Sequence, residues 1–198
     1  TELEKSLDFK LGPRNLLVTF HPVTLEPGAS AAQMAELLVA LDSLTQTQLL
    51  FTMPNADNES RQLSEMLHDF AARRPDTAKV WASLGQLRYL SCLAHVDGVV
   101  GNSSSGLTEA PSFRVGTINI GERQQGRLKA ASIIDCVPTR EDISRALQTL
   151  YSKAFRQGLP EVCNPYGKGG AASRIASILA TCNPSELLKK KFHDLPGI

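Results

Sequence analysis

Short apolar runs alternate with segments of helical periodicity along most of this 198-residue chain. The apolar runs predict six strands, at residues 16–20, 48–53, 78–81, 96–101, 115–120 and 132–136. Apolar residues recur at helical spacing in residues 31–44, 58–74, 84–95, 106–113, 139–155, 171–180 and 185–192. Because the strands are apolar almost throughout, both faces of their sheet need a covering layer. The pattern therefore predicts the α/β fold class, as a doubly wound parallel sheet with helices on both faces.

The composition argues against two classes of partner. Hydrophobic residues make up 42% of the chain and charged residues 21%, which is typical of a globular protein. The formal net charge of +1 gives no reason to expect a nucleic-acid partner. No apolar run approaches the roughly 20 residues that span a bilayer, so we expect no membrane insertion.

The cysteines and the first residues indicate a cytoplasmic protein. No CxxC pair occurs among Cys92, Cys136, Cys163 and Cys182, and each lies in or beside an apolar stretch. We expect buried, reduced thiols and no metal site. The polar start at Thr1 has no signal-peptide pattern, and the absence of an initial Met fits a domain taken from a longer protein.

Polar residues follow several predicted strands, where ligands of a doubly wound sheet bind. His21 follows the first strand and is placed to act as a proton carrier or a phosphate partner, although it also suits a hydrogen-bonded loop. Asn55 follows the second strand and is equally an ordinary turn residue. Arg123 and Arg127 lie in a glycine-flanked loop after the fifth strand, where they could meet a phosphate or only solvent.

A serine-rich turn after the fourth strand is the strongest single motif, with the sequence GNSSSGLTE at residues 101–109. It connects a strand to a predicted helix, whose first N–H groups are unpaired and attract anions. The hydroxyls of Ser103 and Ser104 add donors, and Glu109 is suited to bind a ribose diol. The alternative is an ordinary serine cap of a helix.

Five blocks in this order resemble the UDP-N-acetylglucosamine 2-epimerases. The blocks are HPVT at 21–24, PNxD at 54–57, GNSSSGxxE at 101–109, INIGxRQxGR at 118–127 and NPYGxG at 164–169. The resemblance runs from about residue 16 to the C-terminus and is closest to the hydrolysing branch. That branch is favoured because the non-hydrolysing enzymes carry a basic run where this chain has HPVT.

The resemblance implies a domain organisation. Members of the family have two Rossmann-like domains in a glycosyltransferase-B-like arrangement, with the sugar nucleotide in the cleft between them. This chain is similar to the second domain and its terminal helices. Residues 1–198 are therefore expected to form a single UDP-binding domain, with the N-terminal domain absent.

The resemblance also implies roles for the nucleotide-binding residues. Ser103 and Ser104 are expected to bind the diphosphate, and Glu109 the ribose hydroxyls. Arg123 and the backbone of Leu84 are expected to lie at the uracil.

Three further residues complete the implied site. Tyr89 is expected to offer an aromatic face to the base. His21 and Asn55 are expected to approach the junction of phosphate and sugar, with His21 in a catalytic role.

The implied reaction converts UDP-N-acetylglucosamine and water to N-acetylmannosamine and UDP, as in sialic acid biosynthesis. Loss of the C2 proton and departure of UDP give a glycal, to which water adds. The carboxylates that remove this proton belong to the family's first domain, so this chain alone is expected to be inactive. Neither a metal nor a redox cofactor is needed.

Two other functions remain open at the level of sequence. A UDP-sugar-dependent glycosyltransferase of the same two-domain fold uses similar nucleotide contacts, and a binding module could sense UDP-sugars without catalysis. The sugar itself is also open, since a 2,4-diacetamido sugar would use the same nucleotide contacts. Whether the full-length enzyme forms a homo-oligomer is not determined by these motifs.

Overall fold

A computed structural model describes residues 1–23, 28–55 and 59–183 of the chain. The strands in these ranges are β1 Arg14–Thr19, β2 Thr47–Thr52, β3 Ala78–Trp81, β4 Gly98–Gly101, β5 Gly116–Ile120 and β6 Ile133–Cys136. The α-helices are α1 Glu2–Leu7, α2 Ser30–Asp42, α3 Ser60–Arg73, α4 Gly85–Leu93, α5 Ser105–Thr108, α6 Arg140–Tyr151, α7 Lys153–Gly158 and α8 Ala171–Thr181. Short 3₁₀ helices occur at Ala110–Phe113 and Leu159–Glu161. Thr24 and Asp57 of the sequence blocks and the predicted helix at 185–192 lie outside the described residues.

The strands of the described residues form one parallel sheet in the order β3-β2-β1-β4-β5-β6. This is the strand order of dinucleotide-binding folds, in which the winding direction reverses between the first and fourth strands. The predicted doubly wound α/β fold is confirmed. Its six strands were predicted because a doubly covered strand is a short, continuous apolar run.

Two apolar layers cover the sheet. Helices α2, α3 and α6 pack on one face, against side chains that include Leu16, Val18 and Phe51. On the other face, α1 and α4 pack against Leu17 and Leu50. Neighbouring residues of β1 thus point to opposite layers, as the period of two in a strand requires. The sheet is buried on both sides, and its carboxyl edge remains for polar contacts.

Helix α6 lies close to the sheet because two strands begin with glycine. A Cβ atom on Gly98 would lie 2.5 Å from Leu150 Cδ2, and one on Gly116 would lie 2.5 Å from Leu150 Cδ1. The side chain of Leu150 therefore occupies the space that side chains at these two positions would need.

The predicted helix at 139–155 was wrong as one element. Ser152 is extended and separates α6 from α7, and its Oγ accepts a hydrogen bond from the Phe155 N–H. A serine side chain offers the backbone this capping bond as an alternative to continuing the helix.

Two short helices also differed from prediction. The periodic segment at 106–113 is only one α-helical turn followed by a 3₁₀ turn. Helix α1 was missed because six residues are too few to show a period, and it starts with a capping box between Thr1 and Glu4.

The chain divides into two compact units, Thr1–Tyr166 and Gly167–Ile198. The first contains the whole sheet, and the second contains α8. No helix among the described residues is long and apolar enough to cross a membrane. The expectation of buried cysteines was wrong in part, because Cys163 is exposed while Cys92 is buried.

Candidate functional site

Polar residues converge at the carboxyl edge of the sheet, where the winding direction reverses between β1 and β4. In doubly wound folds the loops leaving these two strands diverge and open a crevice. His21 follows β1 and Asn102 follows β4, and both are buried, with 7% and 1% of their surfaces exposed. The edge thus carries polar groups that cannot rely on solvent for hydrogen bonds.

Asn102 holds three loops together. Its Oδ1 accepts a hydrogen bond from the His21 N–H at 2.7 Å, and its Nδ2 donates to the His21 carbonyl at 2.8 Å. Its own carbonyl accepts hydrogen bonds from Arg123 Nη1 at 3.0 Å and Gln124 Nε2 at 2.8 Å. The loops after β1, β4 and β5 therefore meet at this one residue. No role for Asn102 was predicted from the sequence.

The imidazole of His21 is oriented by the loop after β2. The backbone N–H of Asn55 donates to His21 Nδ1 at 3.0 Å. A ring nitrogen that accepts a hydrogen bond carries no proton, so this contact favours the neutral ring with its proton on Nε2. Asn55 therefore orients the His21 ring through its backbone N–H, independently of its side chain.

A cavity of about 520 Å³ opens beside these residues at the carboxyl ends of β1, β2 and β3. It is lined by Thr19, His21, Thr52, Met53, Pro54, Asn55, Ala82, Ser83, Leu84, Gly85, Gln86, Tyr89, Leu90 and Glu109. Five of the predicted site residues are in this lining, namely His21, Asn55, Leu84, Tyr89 and Glu109. Ser103, Ser104 and Arg123 are not. A volume of this size falls in the usual range of small-molecule pockets.

Two threonines of the lining were missed by the sequence analysis. Thr19 and Thr52 are the last residues of paired strands, and their Oγ1 atoms lie 2.5 Å apart. Both strands were predicted from the sequence, and ligands of such a sheet bind at the carboxyl ends of its strands. The position of the two threonines at these ends could therefore have identified them as candidate site residues.

The serine loop depends on Gly101. This residue has a φ of 136°, and a Cβ atom there would lie 1.9 Å from the Thr19 carbonyl oxygen. Only glycine fits this approach of β4 to β1. The Asn102 N–H then donates to the same Thr19 carbonyl at 3.2 Å.

The helix after the serine loop is shorter than expected. Helix α5 makes a single turn, and Glu109 ends it rather than lying inside a longer helix. A helix dipole therefore contributes little to anion binding here, because a macrodipole requires many aligned peptide units. The hydroxyl and backbone donors of the loop itself remain.

Burial shifts two ionisable groups at the pocket. Partial burial raises the pKa of the Glu109 carboxyl above its ordinary value, although the residue as a whole is exposed. Burial, together with the charge of Glu109, raises the pKa of Tyr89 to about 12, and the hydroxyl of Tyr89 contacts Ser105 Oγ. Tyr89 thus remains protonated at neutral pH. No group of three or more His, Cys, Asp or Glu residues in the described part of the chain could hold a metal ion.

The sequence profile of the UDP-N-acetylglucosamine 2-epimerase family matches residues 2–180. The chain belongs to this family. A GDP/UDP-N,N′-diacetylbacillosamine 2-epimerase (hydrolyzing) of Campylobacter jejuni is 37% identical over 195 residues, which cover 98% of this chain and 50% of that protein. Polysialic acid biosynthesis protein P7 of Escherichia coli is 32% identical over 198 residues, with coverages of 98% and 50%. The chain thus spans about half the length of these relatives.

Solved structures of the family share the fold. The UDP co-structure of Staphylococcus aureus MnaA has a TM-score of 0.67 at 16% identity and covers 98% of this chain and 52% of its own. A Methanocaldococcus jannaschii UDP-GlcNAc 2-epimerase in complex with UDP-GlcNAc and UDP has a TM-score of 0.66 at 15% identity, with coverages of 90% and 48%. Both comparisons again match about half of the other chain.

Proposed function

We propose that this chain is the UDP-binding, C-terminal half of a hydrolysing UDP-N-acetylglucosamine 2-epimerase. The observation that carries the proposal is the pocket at the switch point of the sheet in a chain that belongs to the epimerase family. Five residues chosen from sequence as nucleotide or sugar contacts line that pocket. Family membership favours this function over a glycosyltransferase or a binding module.

Some of the proposed nucleotide contacts lie in the pocket wall, and the others lie on the neighbouring loops. Glu109 receives the ribose hydroxyls, and the Leu84 backbone with Tyr89 lies at the base. Ser103 and Ser104 bind the diphosphate from the adjoining end of β4. Arg123, whose Nη1 bonds to the Asn102 carbonyl, reaches the uracil region from the neighbouring loop.

His21 and Asn55 are proposed at the bond between sugar and diphosphate. In this reaction the C2 proton leaves to a base, the bond from C1 to the diphosphate oxygen breaks, and a glycal forms. Water then adds across the double bond, returning a proton to C2 from the opposite face. A positioned N–H donor at the leaving oxygen stabilises the charge that develops on UDP. The Nε2 proton of a neutral His21 is suited to this task.

The first half of the enzyme is proposed to supply the carboxylate base. Among the described residues that line the pocket, the one carboxyl is that of Glu109, and the ribose role occupies it. We therefore expect this chain to bind UDP without turning over UDP-N-acetylglucosamine. Full-length protein is expected to form free N-acetylmannosamine and UDP without an added metal or redox cofactor.

A calorimetric titration with UDP and an assay for the free sugar test the proposal. We expect saturable UDP binding below millimolar concentration and no product from this chain alone. GDP, titrated in parallel, measures the preference for uracil. Turnover by the isolated chain, or no UDP binding at millimolar concentration, would refute the assignment.

A 2,4-diacetamido sugar is a second candidate substrate. The relative from Campylobacter jejuni, at 37% identity, is named for N,N′-diacetylbacillosamine. The relative from Escherichia coli is named for polysialic acid biosynthesis, which fits the simpler sugar. Comparing kcat/KM of the full-length enzyme for UDP-N-acetylglucosamine and the UDP-linked diacetamido sugar decides between them.

A further inference from the structure

Three hydroxyl groups form a row beside the pocket, on Tyr89, Ser105 and Ser103. The Tyr89 hydroxyl is within hydrogen-bond distance of Ser105 Oγ, and Ser105 Oγ lies 3.2 Å from Ser103 Oγ. Tyr89 belongs to α4, whereas the two serines belong to the segment after β4. The row therefore connects Tyr89, in the pocket lining, to the serine loop beside the pocket.

We propose that Tyr89 is a positioning residue which, acting through Ser105, orients the Ser103 hydroxyl as a hydrogen-bond donor to a phosphate oxygen of the nucleotide. This inference rests on the proposed function. In this role Tyr89 acts through its hydroxyl group, whereas the family resemblance implied a role for the face of its ring.

The polarity of the row follows from the chemistry of its ends. Each hydroxyl has one proton to donate and lone pairs to accept. If Tyr89 donates to Ser105, the Ser105 proton is directed to Ser103, and the Ser103 proton is left for a ligand. In the opposite polarity Ser103 donates into the row and turns lone pairs towards the ligand, which repels an anion.

Two observations favour Tyr89 as the donor at the head of the row. A phenol, with an ordinary pKa of about 10, is a stronger donor than the aliphatic hydroxyl of serine. Tyr89 also keeps its proton over the physiological range, as an ordinary phenol does, and burial raises its pKa further, to about 12. Successive hydrogen bonds polarise one another, so donation by Tyr89 strengthens donation by Ser103.

The position of Ser103 fits an anion at the end of the row. Ser103 directly follows Asn102, whose side chain bonds to both backbone groups of His21. The end of the row is therefore held next to the residue proposed to face the leaving diphosphate. The other end, Tyr89, lies with Glu109 in the pocket lining.

Substitutions that remove single hydroxyls test the inference. Tyr89→Phe and Ser105→Ala should each weaken UDP binding by roughly three- to tenfold, the scale of one hydrogen bond. Uridine has no phosphate, so its dissociation constant should not change in either variant. The double variant Tyr89→Phe with Ser105→Ala should bind UDP no more weakly than the weaker single variant, because both interrupt the same row.

Other outcomes identify other roles. Wild-type UDP affinity in Tyr89→Phe would overturn the inference. Equal losses of UDP and uridine affinity would do so as well, since they would indicate a contact with the base or ribose. Tyr166→Phe is the matched control: the Tyr166 hydroxyl bonds to the Leu128 carbonyl away from the pocket, and UDP affinity should stay at the wild-type value.

A measurement without nucleotide separates this inference from the proposed function. Amide hydrogen exchange of residues 102–106 should be faster in Tyr89→Phe and Ser105→Ala than in the wild type, and unchanged in Tyr166→Phe. If the wild type binds no UDP, the proposed function and the phosphate contact both fail. If UDP binds but the exchange rates of this segment do not change, only the positioning by Tyr89 fails.

Discussion

At the scale of single residues, His21 is held on two sides. Asn102 bonds to both of its backbone groups, and the Asn55 N–H bonds to its ring. The sequence left open whether a protonated or a neutral imidazole would act here. Because Nδ1 accepts a hydrogen bond, the structure favours a neutral ring that donates through Nε2. This limits the proposed role of His21 to donation towards the leaving group or transfer of that one proton.

Replacing His21 by Asn in the full-length enzyme separates chemistry from folding. Asn Oδ1 can accept the Asn55 hydrogen bond in place of Nδ1, but the Nε2 proton is lost. We expect kcat to fall by about 10²-fold or more, the scale for a positioned acid or base, with little change in melting temperature.

Two further variants control the His21 experiment. His21→Ala leaves the Asn55 N–H without its ring acceptor and should lower the melting temperature. His68→Asn, on the exposed side of α3, should change neither kcat nor stability. A normal kcat for His21→Asn, or early melting, would show that His21 is a structural loop residue.

Glu109 is predicted to favour UDP binding but to lower the free energy of unfolding at neutral pH. Partial burial raises its pKa, so the folded state favours the protonated carboxyl, by a small margin because the residue is exposed and screened by solvent. Such a group contributes stability at low pH and loses it as pH rises through the folded pKa. The free energy of unfolding of Glu109→Gln, relative to wild type, should therefore increase from acid to neutral pH.

The same substitution should weaken UDP binding by roughly tenfold or more, since the proposed hydrogen bonds from the ribose to a charged acceptor would be lost. Urea unfolding at acid and neutral pH and a UDP titration at neutral pH measure the two effects. Glu161→Gln, an exposed carboxylate outside the pocket, is the control for both. A pH-independent stability difference would mean that the partial desolvation of the Glu109 carboxylate has no measurable cost.

At the scale of elements, α6 is positioned by the absence of side chains on the sheet. Leu150 fills the space above Gly98 and Gly116, and a Cβ atom on either would overlap it. Interiors are packed densely enough that one added methyl group is felt. The distance between helix and sheet is therefore set by these two glycines.

Gly98→Ala should lower the free energy of unfolding by about 1–3 kcal/mol, the usual cost of overpacking. The loss of unfolding free energy caused by Gly98→Ala should be smaller in a Leu150→Ala background, where the clash is relieved. Gly158→Ala, at the end of α7 with open space around its Cβ position, is the matched control and should not destabilise. Equal effects at Gly98 and Gly158 would contradict the packing argument. Denaturant unfolding of the four variants measures the coupling.

At the scale of the whole molecule, the pocket belongs to one compact unit. Its lining extends from Thr19 to Glu109, and the first unit runs from Thr1 to Tyr166. The loops that meet at Asn102 also lie within this unit. Nucleotide binding should therefore depend on the first unit.

A shortened chain of residues 1–166 should bind UDP within about twofold of the affinity of the 198-residue chain. Binding only to the folded state should also raise the melting temperature of both chains as UDP is added. Calorimetry and thermal melts measure these effects. A folded 1–166 chain with no UDP affinity would show that residues 167–198 complete the site.

Much of the architecture was readable from the sequence because its signals are local. Continuous apolar runs marked the strands, and the run at Ala78–Trp81 matched β3 at both ends. The fold class then directed attention to the residues after the strands, which is how His21 and Asn55 were found. These inferences needed only periodicity and the rule that ligands bind at the carboxyl ends of parallel strands.

The contacts that orient the site were decided by the tertiary structure. Asn102 and His21 are 81 residues apart, and Thr19 and Thr52 are 33 apart, yet each pair is joined because β4 and β2 both lie beside β1. No local pattern encodes which hydroxyl or amide such a neighbour will meet. The sequence alone therefore determined which residues stand at the binding edge, whereas strand order and side-chain packing determined which of them hold one another in place.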